Sequence, residues 1–181
     1  MKRLAVPALL LIALAAPASA GAALPKDLWA TVNACDSAKF PDRVGVRAAM
    51  PGDGTGKRMY MRFRLQFHSS QRGWQGVSGG LSSKLYLGSA RRDRQGGWTF
   101  RVTPPKSGGS FLLRGVADLQ WTKKAYRIKR VRVKRGGKTV VRRKRVFRRW
   151  VTARRSTQVA RPGITDVKGG DGLSLSACTL R

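Results

Sequence analysis

The sequence predicts an all-β protein, built as one antiparallel β-sandwich and closed by a disulfide between its N-terminal and C-terminal regions. Short runs in which apolar and polar residues alternate recur along the chain, and this period of two is typical of half-buried strands. Clusters of Gly, Pro and Asp separate these runs at turn positions. Long stretches of helical periodicity are nearly absent, which argues against helices.

The first strands are expected at residues 29–35 and 44–50, after an exposed lead-in at residues 21–28. The second of these strands ends at the turn sequence Pro51-Gly52-Asp53-Gly54. Residues 59–67 form the clearest strand of the chain. Its five apolar residues alternate with Tyr, Arg and Gln, so a buried face and a cationic outer face are predicted.

Residues 69–83 are rich in Ser and Gly and are expected to form a loop anchored by Trp74. A short strand at 85–87 follows. Gly96-Gly97 is predicted to turn into a strand that ends before Pro104-Pro105, since proline cannot donate to a sheet ladder. Residues 111–121 form a long strand in which Gly115 is expected to mark a bulge, because the apolar phase is clearer after it.

The sequence from 126 to 180 predicts a hairpin, a loop and a last strand. Residues 126–133 and 138–147 flank Gly136-Gly137, a favourable two-residue hairpin turn. Four residues could instead share a helical face, namely Val146, Phe147, Trp150 and Val151. β-branched neighbours and the glycine turn favour strand there. Residues 154–172 are expected to be a loop, and 173–180 a strand.

Seven to nine strands with turn signals between them are typical of immunoglobulin-like and fibronectin III-like sandwiches. The cysteines Cys35 and Cys178 are expected to pair in an oxidising compartment. On the chain-entropy model so long a loop contributes about 4–5 kcal/mol. This pairing predicts that the first and last strands lie side by side, whereas the alternative is two buried free thiols.

Several motifs resemble an uncharacterised family of secreted actinobacterial proteins with an Ig-like description. The similarity lies in residues 59–66, in 87–91 followed by 97–100, in 113–116 and in 174–178, and it spans most of the chain after residue 20. The resemblance implies an Ig-like sandwich fold and brings no established activity or ligand. This chain departs from the family in its greater positive charge around residues 123–155.

Residues 1–20 are predicted to be a secretory signal peptide. Lys2 and Arg3 form a positive region, residues 4–16 an apolar region, and Ala18-Ser19-Ala20 a cleavage site. The apolar stretch is shorter than the roughly 20 residues that a bilayer-spanning helix requires. The sequence therefore predicts a secreted protein whose β-sandwich occupies residues 29–181, without a lipid anchor or a transmembrane segment. Its positive charge could retain such a protein at the cell envelope.

Catalytic machinery is not apparent, and we predict a non-enzymatic protein without cofactor or metal. All eight acidic residues are Asp, so acid–base pairs that need Glu cannot be built. His68 is the single histidine and is expected to have a structural role at a strand end. Residues 52–57 faintly resemble a phosphate-binding loop, but Pro51 and Arg58 occupy positions that the motif assigns to Gly and Ser or Thr. A turn is the better interpretation.

Positive charge is the strongest functional signal. The chain contains 38 Lys and Arg residues against eight acids, and residues 123–161 hold 18 of these cations and no acid. Arginine offers a planar fork that matches phosphate and carboxylate oxygens. Eleven residues of the hairpin are therefore predicted to bind a polyanion. They are Lys129, Arg130, Arg132, Lys134, Arg135, Arg142, Arg143, Lys144, Arg145, Arg148 and Arg149.

The expected partners are anionic polymers, which include envelope phosphopolymers, acidic polysaccharides and nucleic acid. The main alternative is a structural or adhesive module that binds a protein and whose charge is incidental, since charged edges also keep sheets from aggregating. Two further alternatives are membrane attack by a cationic protein and an enzyme with an Asp-based site.

Overall fold

The computed structural model describes residues 28–105 and 108–181, and within them every helix or strand assigned is a strand. The strands are β1 Trp29–Ser37, β2 Phe40–Met50, β3 Arg58–Ser69, β4 Gly73–Leu81, β5 Leu85–Ser89, β6 Arg94–Arg101, β7 Phe111–Arg135, β8 Lys138–Val159 and β9 Cys178–Leu180. The predicted signal peptide and residues 21–27 lie outside the described residues. Leu28, the last residue of the predicted lead-in, is buried.

Two antiparallel sheets contribute side chains to one apolar core. The smaller sheet has the strand order β1-β2-β6. The larger sheet has the order β4-β3-β7-β8, with β5 beside β3 and β9 beside β7. Buried residues of both sheets belong to the same cluster. The predicted all-β, antiparallel fold is therefore confirmed.

The alternating pattern of β3 determines which of its side chains enter the core. Met59, Met61, Phe63 and Leu65 are all buried, whereas Arg62 between them is exposed. Successive side chains of a strand point to opposite faces, so the pattern fixes both the strand and its orientation. The larger sheet consequently has an outer face lined by the polar residues of β3.

Gly115 lies where the two sheets pack closely against each other. It pairs with Leu65 in an unbroken register, so the predicted bulge is wrong. A Cβ atom at Gly115 would lie 2.5 Å from both methyl groups of Val46 in the opposite sheet. Glycine is therefore required because β7 approaches the side chain of Val46 closely, not because the strand is irregular.

The disulfide joins Cys35 of β1 to Cys178 of β9, with the two Cα atoms 5.4 Å apart. The predicted disulfide is thus confirmed. The predicted last strand, residues 173–180, does meet β1 at Leu175, but its C-terminal part, β9, forms its ladder with another strand. β9 pairs with β7, where Cys178 lies opposite Leu113. The segment before β9 is connected to β1 by an isolated bridge between Val32 and Leu175 and by hydrogen bonds of Thr31 and Asn33. The disulfide therefore links the two sheets.

Three further local predictions need correction. The predicted loop at 69–83 contains β4, a glycine-rich strand held by pairing with β3. The Gly96-Gly97 pair lies inside β6 and is not a turn. A Cβ at Gly96 would come within 2.9 Å of the Met61 sulfur, so this glycine too serves close packing between the sheets. In the C-terminal region, residues 154–159 continue β8, while the last strand is confined to Cys178–Leu180.

Candidate polyanion-binding ribbon

β7 and β8 continue well past the other strands of their sheet. β3 accompanies β7 only as far as the pair Arg58–Thr122, and beyond it β7 pairs with β8 alone. We call residues 123–135 and 138–151 the ribbon. With a rise of about 3.3 Å per residue, its 13-residue β7 segment is about 40 Å long. The predicted hairpin is confirmed and is much longer than expected, and the helical alternative for residues 146–151 is wrong.

The tip of the ribbon is the predicted glycine turn. Gly136 and Gly137 have φ angles of 56° and 76°, the two consecutive positive values that a type I′ turn requires. This turn places Arg135 opposite Lys138 and so fixes the register of the cations behind it.

The ribbon contains 15 Lys and Arg residues and no acidic residue. All eleven residues predicted to bind a polyanion lie within it, and all eleven are exposed. The structure thus brings the predicted residues together on one element that extends from the sheet.

The register sets several of these cations directly opposite one another. Arg130 faces Arg143, Lys129 faces Lys144, and Arg135 faces Lys138. Like charges in such cross-strand pairs destabilise a sheet. An anion that lies between them would remove this repulsion.

Both faces of the ribbon carry cations. Paired residues share a face, and successive residues alternate between faces. Arg130 and Arg132 therefore project from one face and Lys129 from the other. The predicted residues surround the ribbon and are not gathered on a single surface, so a flexible polymer can be contacted from either side.

Almost no carboxylate competes for these cations. Only two ion pairs occur within residues 28–105 and 108–181, and neither involves the ribbon. Asp118 is the only acidic residue in the strands of the larger sheet. Its carboxylate accepts hydrogen bonds of 2.8 and 3.0 Å from Arg64 and one of 2.9 Å from Thr157. Burial raises the pKa of Asp118, but these hydrogen bonds outweigh burial and hold the pKa below its usual value.

Aromatic rings lie among the cations at the base of the ribbon, where the sequence places Tyr126, Phe147 and Trp150. The Tyr126 and Phe147 ring centres are 6.5 Å apart, and those of Phe147 and Trp150 are 6.2 Å apart. The guanidinium carbon of Arg58 lies 4.1 Å from the centre of the Trp150 ring. Arg58 was not among the predicted site residues, although its position at the start of an alternating strand is visible in the sequence.

The other residues examined in the sequence have local contacts. His68 packs edge-on against Trp74, with ring centres 5.1 Å apart. In the 52–57 turn, the Asp53 carboxylate accepts hydrogen bonds from Thr55 and Lys57, so Lys57 is held by its own turn. In the described part of the chain, no three His, Cys or Asp side chains come together as metal ligands would.

A search of the described residues finds no helix with the length and apolar character needed to cross a bilayer. No known protein family, curated protein or solved structure matches this chain. The resemblance to secreted actinobacterial Ig-like proteins therefore stays a prediction.

Proposed function

We propose that this protein is an exported, non-enzymatic module that binds anionic polymers through the ribbon. One observation carries the proposal: 15 cations without a carboxylate are concentrated on a two-stranded extension of an otherwise ordinary sheet. Two-stranded hairpins are marginally stable in water, and opposed cations weaken this one further. A bound polyanion would relieve the repulsion between the cations and so stabilise the ribbon. The same cations would give the protein its affinity for the polyanion.

The core does not need the ribbon. No ribbon side chain in residues 123–135 or 138–151 is buried, and none belongs to the core cluster. A segment of this length orders many residues at an entropic cost without contributing apolar burial. A role in binding offers a reason for its presence.

Export is supported by the disulfide and by the predicted signal peptide at residues 1–20. Disulfides persist in oxidising compartments and are rare in the cytosol, so the Cys35–Cys178 bond fits an extracellular location. The positive charge of the ribbon would hold an exported protein at an anionic envelope. Envelope phosphopolymers, acidic polysaccharides and nucleic acid all carry the oxyanions that Arg and Lys bind.

One observation favours the alternative, a module that binds another protein. Ile128 is 66% exposed and Val141 is 62% exposed, and both lie in the ribbon. Tyr126, Val140 and Phe147 are also exposed apolar residues of the ribbon, and a group of such residues is more typical of an interaction surface than single ones are. In that case the charge would be incidental, and binding of the partner would survive neutralisation of the cations.

The test measures binding of a labelled DNA duplex by fluorescence anisotropy over a range of salt concentrations. If about six phosphates are contacted, the logarithm of the affinity should fall with the logarithm of salt with a slope of about −5. Replacing the four residues 142–145 by Gln should weaken binding at least 10-fold and make this slope shallower.

A matched control removes four exposed cations outside the ribbon: Lys39, Arg91, Arg92 and Lys168. This control variant has the same net charge as the ribbon variant and should bind almost as the wild type does. Equal losses in both variants would mean that net charge, and not the ribbon, drives binding. Absence of binding at low ionic strength would overturn the proposal.

A further inference from the structure

An aromatic cluster lies on the outer face of the larger sheet, next to the base of the ribbon. Tyr60 of β3 and Tyr86 of β5 are paired, with ring centres 5.3 Å apart. The Lys84 amino group lies 4.5 Å from the Tyr60 ring centre. Arg58 lies between this cluster and the ribbon, 5.7 Å from the Tyr86 ring and 4.1 Å from the Trp150 ring.

The same face continues along the ribbon. Lys124 lies opposite Trp150, and Tyr126 opposite Phe147, so these side chains share one face despite the register shift between the two pairs. The rings of Trp150, Phe147 and Tyr126 follow one another at 6.2 and 6.5 Å. Arg145 ends the series, 4.7 Å from the Tyr126 ring.

We call these five rings, with Arg58 between the second and third, the aromatic track. In order they are Tyr60, Tyr86, Trp150, Phe147 and Tyr126. The track runs from the sheet onto the ribbon, so it joins the aromatic surface to the greatest density of cations.

Three of the five rings of the track are exposed, and Tyr60 and Trp150 are half-buried. Tyr86 is 57% exposed, Phe147 is 47% exposed and Tyr126 is 45% exposed. None of the five rings belongs to the buried core cluster. Each of these three therefore retains surface on which a flat group can stack.

Charge alone does not distinguish among polyanions, since any of them releases counterions when it meets Lys and Arg. Aromatic rings do distinguish them. A phosphopolymer offers no flat face to a ring, the sugars of an acidic polysaccharide offer only C–H bonds, and the bases of a duplex are already stacked on one another. A single strand offers unstacked bases beside its phosphates, and proteins bind such strands through rows of aromatic rings within a basic groove.

We propose that the polymer bound by this protein is single-stranded nucleic acid, whose bases stack on the aromatic track while its phosphates contact the ribbon cations. This inference rests on the proposed function and specifies its ligand class. The single carboxylate of the sheet does not oppose it, because Asp118 is engaged by Arg64. Arg130 and Arg132 lie farther along the same ribbon face, where they can meet phosphates beyond the last ring.

The test compares labelled oligothymidylate with an abasic strand of the same length and charge, both measured by fluorescence anisotropy with the full chain after residue 20. Stacking on aromatic residues is worth about 5- to 150-fold in affinity for each base. The oligothymidylate should therefore bind at least 5-fold more tightly than the abasic strand.

Two variants remove a π-face and keep apolar volume, Phe147→Leu and Tyr86→Leu. Each should weaken oligothymidylate binding about 5-fold or more and leave abasic binding and the salt slope unchanged. Trp98→Leu is the matched control, because Trp98 is also exposed but lies in the smaller sheet. Trp98→Leu should alter neither affinity.

Tryptophan fluorescence of the wild type gives a second readout, and the conservative variant Trp150→Phe assigns it. Oligothymidylate should quench tryptophan fluorescence more than the abasic strand does, and Trp150→Phe should remove that difference. Equal binding of the two strands would overturn the inference while leaving a general polyanion site. Tighter binding of duplex than of single strand would also overturn it. So would a result in which the Leu variants weaken binding of alginate, an acidic polysaccharide, but not binding of oligothymidylate. If neither strand binds at low salt, the proposed function fails as well.

Discussion

Arg58 and Trp150 connect the sandwich to the ribbon, with the guanidinium carbon 4.1 Å from the centre of the indole ring. Arg58 is the first residue of β3 and lies opposite Thr122, the last β7 residue that has a third strand beside it. Trp150 belongs to the part of β8 that lies beyond this point. The contact therefore supports the base of the ribbon where the sheet narrows to two strands.

Replacing Arg58 by Ala should loosen the base of the ribbon. An exposed cation–π contact is worth about 0.5–1 kcal/mol, so backbone amides near Lys124 and Trp150 should exchange hydrogen about 2- to 5-fold faster. Hydrogen exchange followed by mass spectrometry measures this directly. Arg114→Ala is the control, because Arg114 makes a similar contact of 4.2 Å with Trp74 away from the ribbon. Equal effects of the two variants on ribbon exchange would contradict the role of Arg58.

Replacing Gly115 by Ala should destabilise the fold by about 1–3 kcal/mol, the range for overpacked cores. The added methyl group would meet both methyl groups of Val46 at 2.5 Å. The Gly115→Ala, Val46→Ala double variant should lose less unfolding free energy than the sum of the losses in the two single variants. The reason is that Val46→Ala makes room for the methyl group added at residue 115. Urea denaturation of the three variants gives the coupling. Strict additivity would mean that Gly115 is needed for a reason other than this contact.

Removing the disulfide should lower the free energy of unfolding by about 2–5 kcal/mol. The bond closes a loop with a sequence separation of 143 and joins β1 of one sheet to β9 of the other. The Cys35→Ser, Cys178→Ser double variant avoids unpaired thiols, and denaturant unfolding compares it with the wild type. A loss well below 2 kcal/mol would indicate that packing between the sheets already restricts the chain ends.

Asp118 should make a pH-dependent contribution to stability. Its folded pKa lies below the ordinary value of 3.8, so the contribution is present above about pH 4 and is lost as pH falls through the folded pKa. Asp118→Asn should therefore be less stable than the wild type near pH 7, by up to about 1 kcal/mol because the pair with Arg64 is partly exposed. The two proteins should converge once the pH lies below the folded pKa of Asp118.

Unfolding by urea at several pH values tests this expectation. Arg64→Gln removes the main group that lowers the pKa of Asp118, so the stability of this variant should also fall less than that of the wild type as the pH is lowered from 7. A constant difference between Asp118→Asn and the wild type at every pH would show that ionisation of Asp118 does not contribute to stability.

Where structure follows from neighbouring residues, the sequence was informative. The alternation at 59–67 predicted β3 and its buried face, because the side chains of a strand change sides at every residue. The glycine pair at 136–137 predicted the hairpin turn through its φ requirements. Cys35 and Cys178 were the only two cysteines, which left one possible intramolecular pairing.

Where structure depends on distant segments, the sequence was misleading. β4 looked like a loop because its glycines weaken strand propensity, yet pairing with β3 orders it. Gly96 and Gly115 were interpreted as a turn and a bulge, but each faces a side chain of the opposite sheet. The residues next to a glycine in the sequence do not predict which side chain of the opposite sheet will contact it.

The amino-acid sequence alone therefore determined an all-β chain with one disulfide and a basic hairpin, because charge, periodicity and turn chemistry belong to individual residues and their neighbours. Only the tertiary structure decided that β3, which begins at Arg58, leaves β7 and β8 to continue as a pair beyond it, and that Tyr60 and Tyr86 join the rings of the ribbon. Strand pairing brings those residues together from segments far apart in the chain, and such pairing depends on the packing of both sheets.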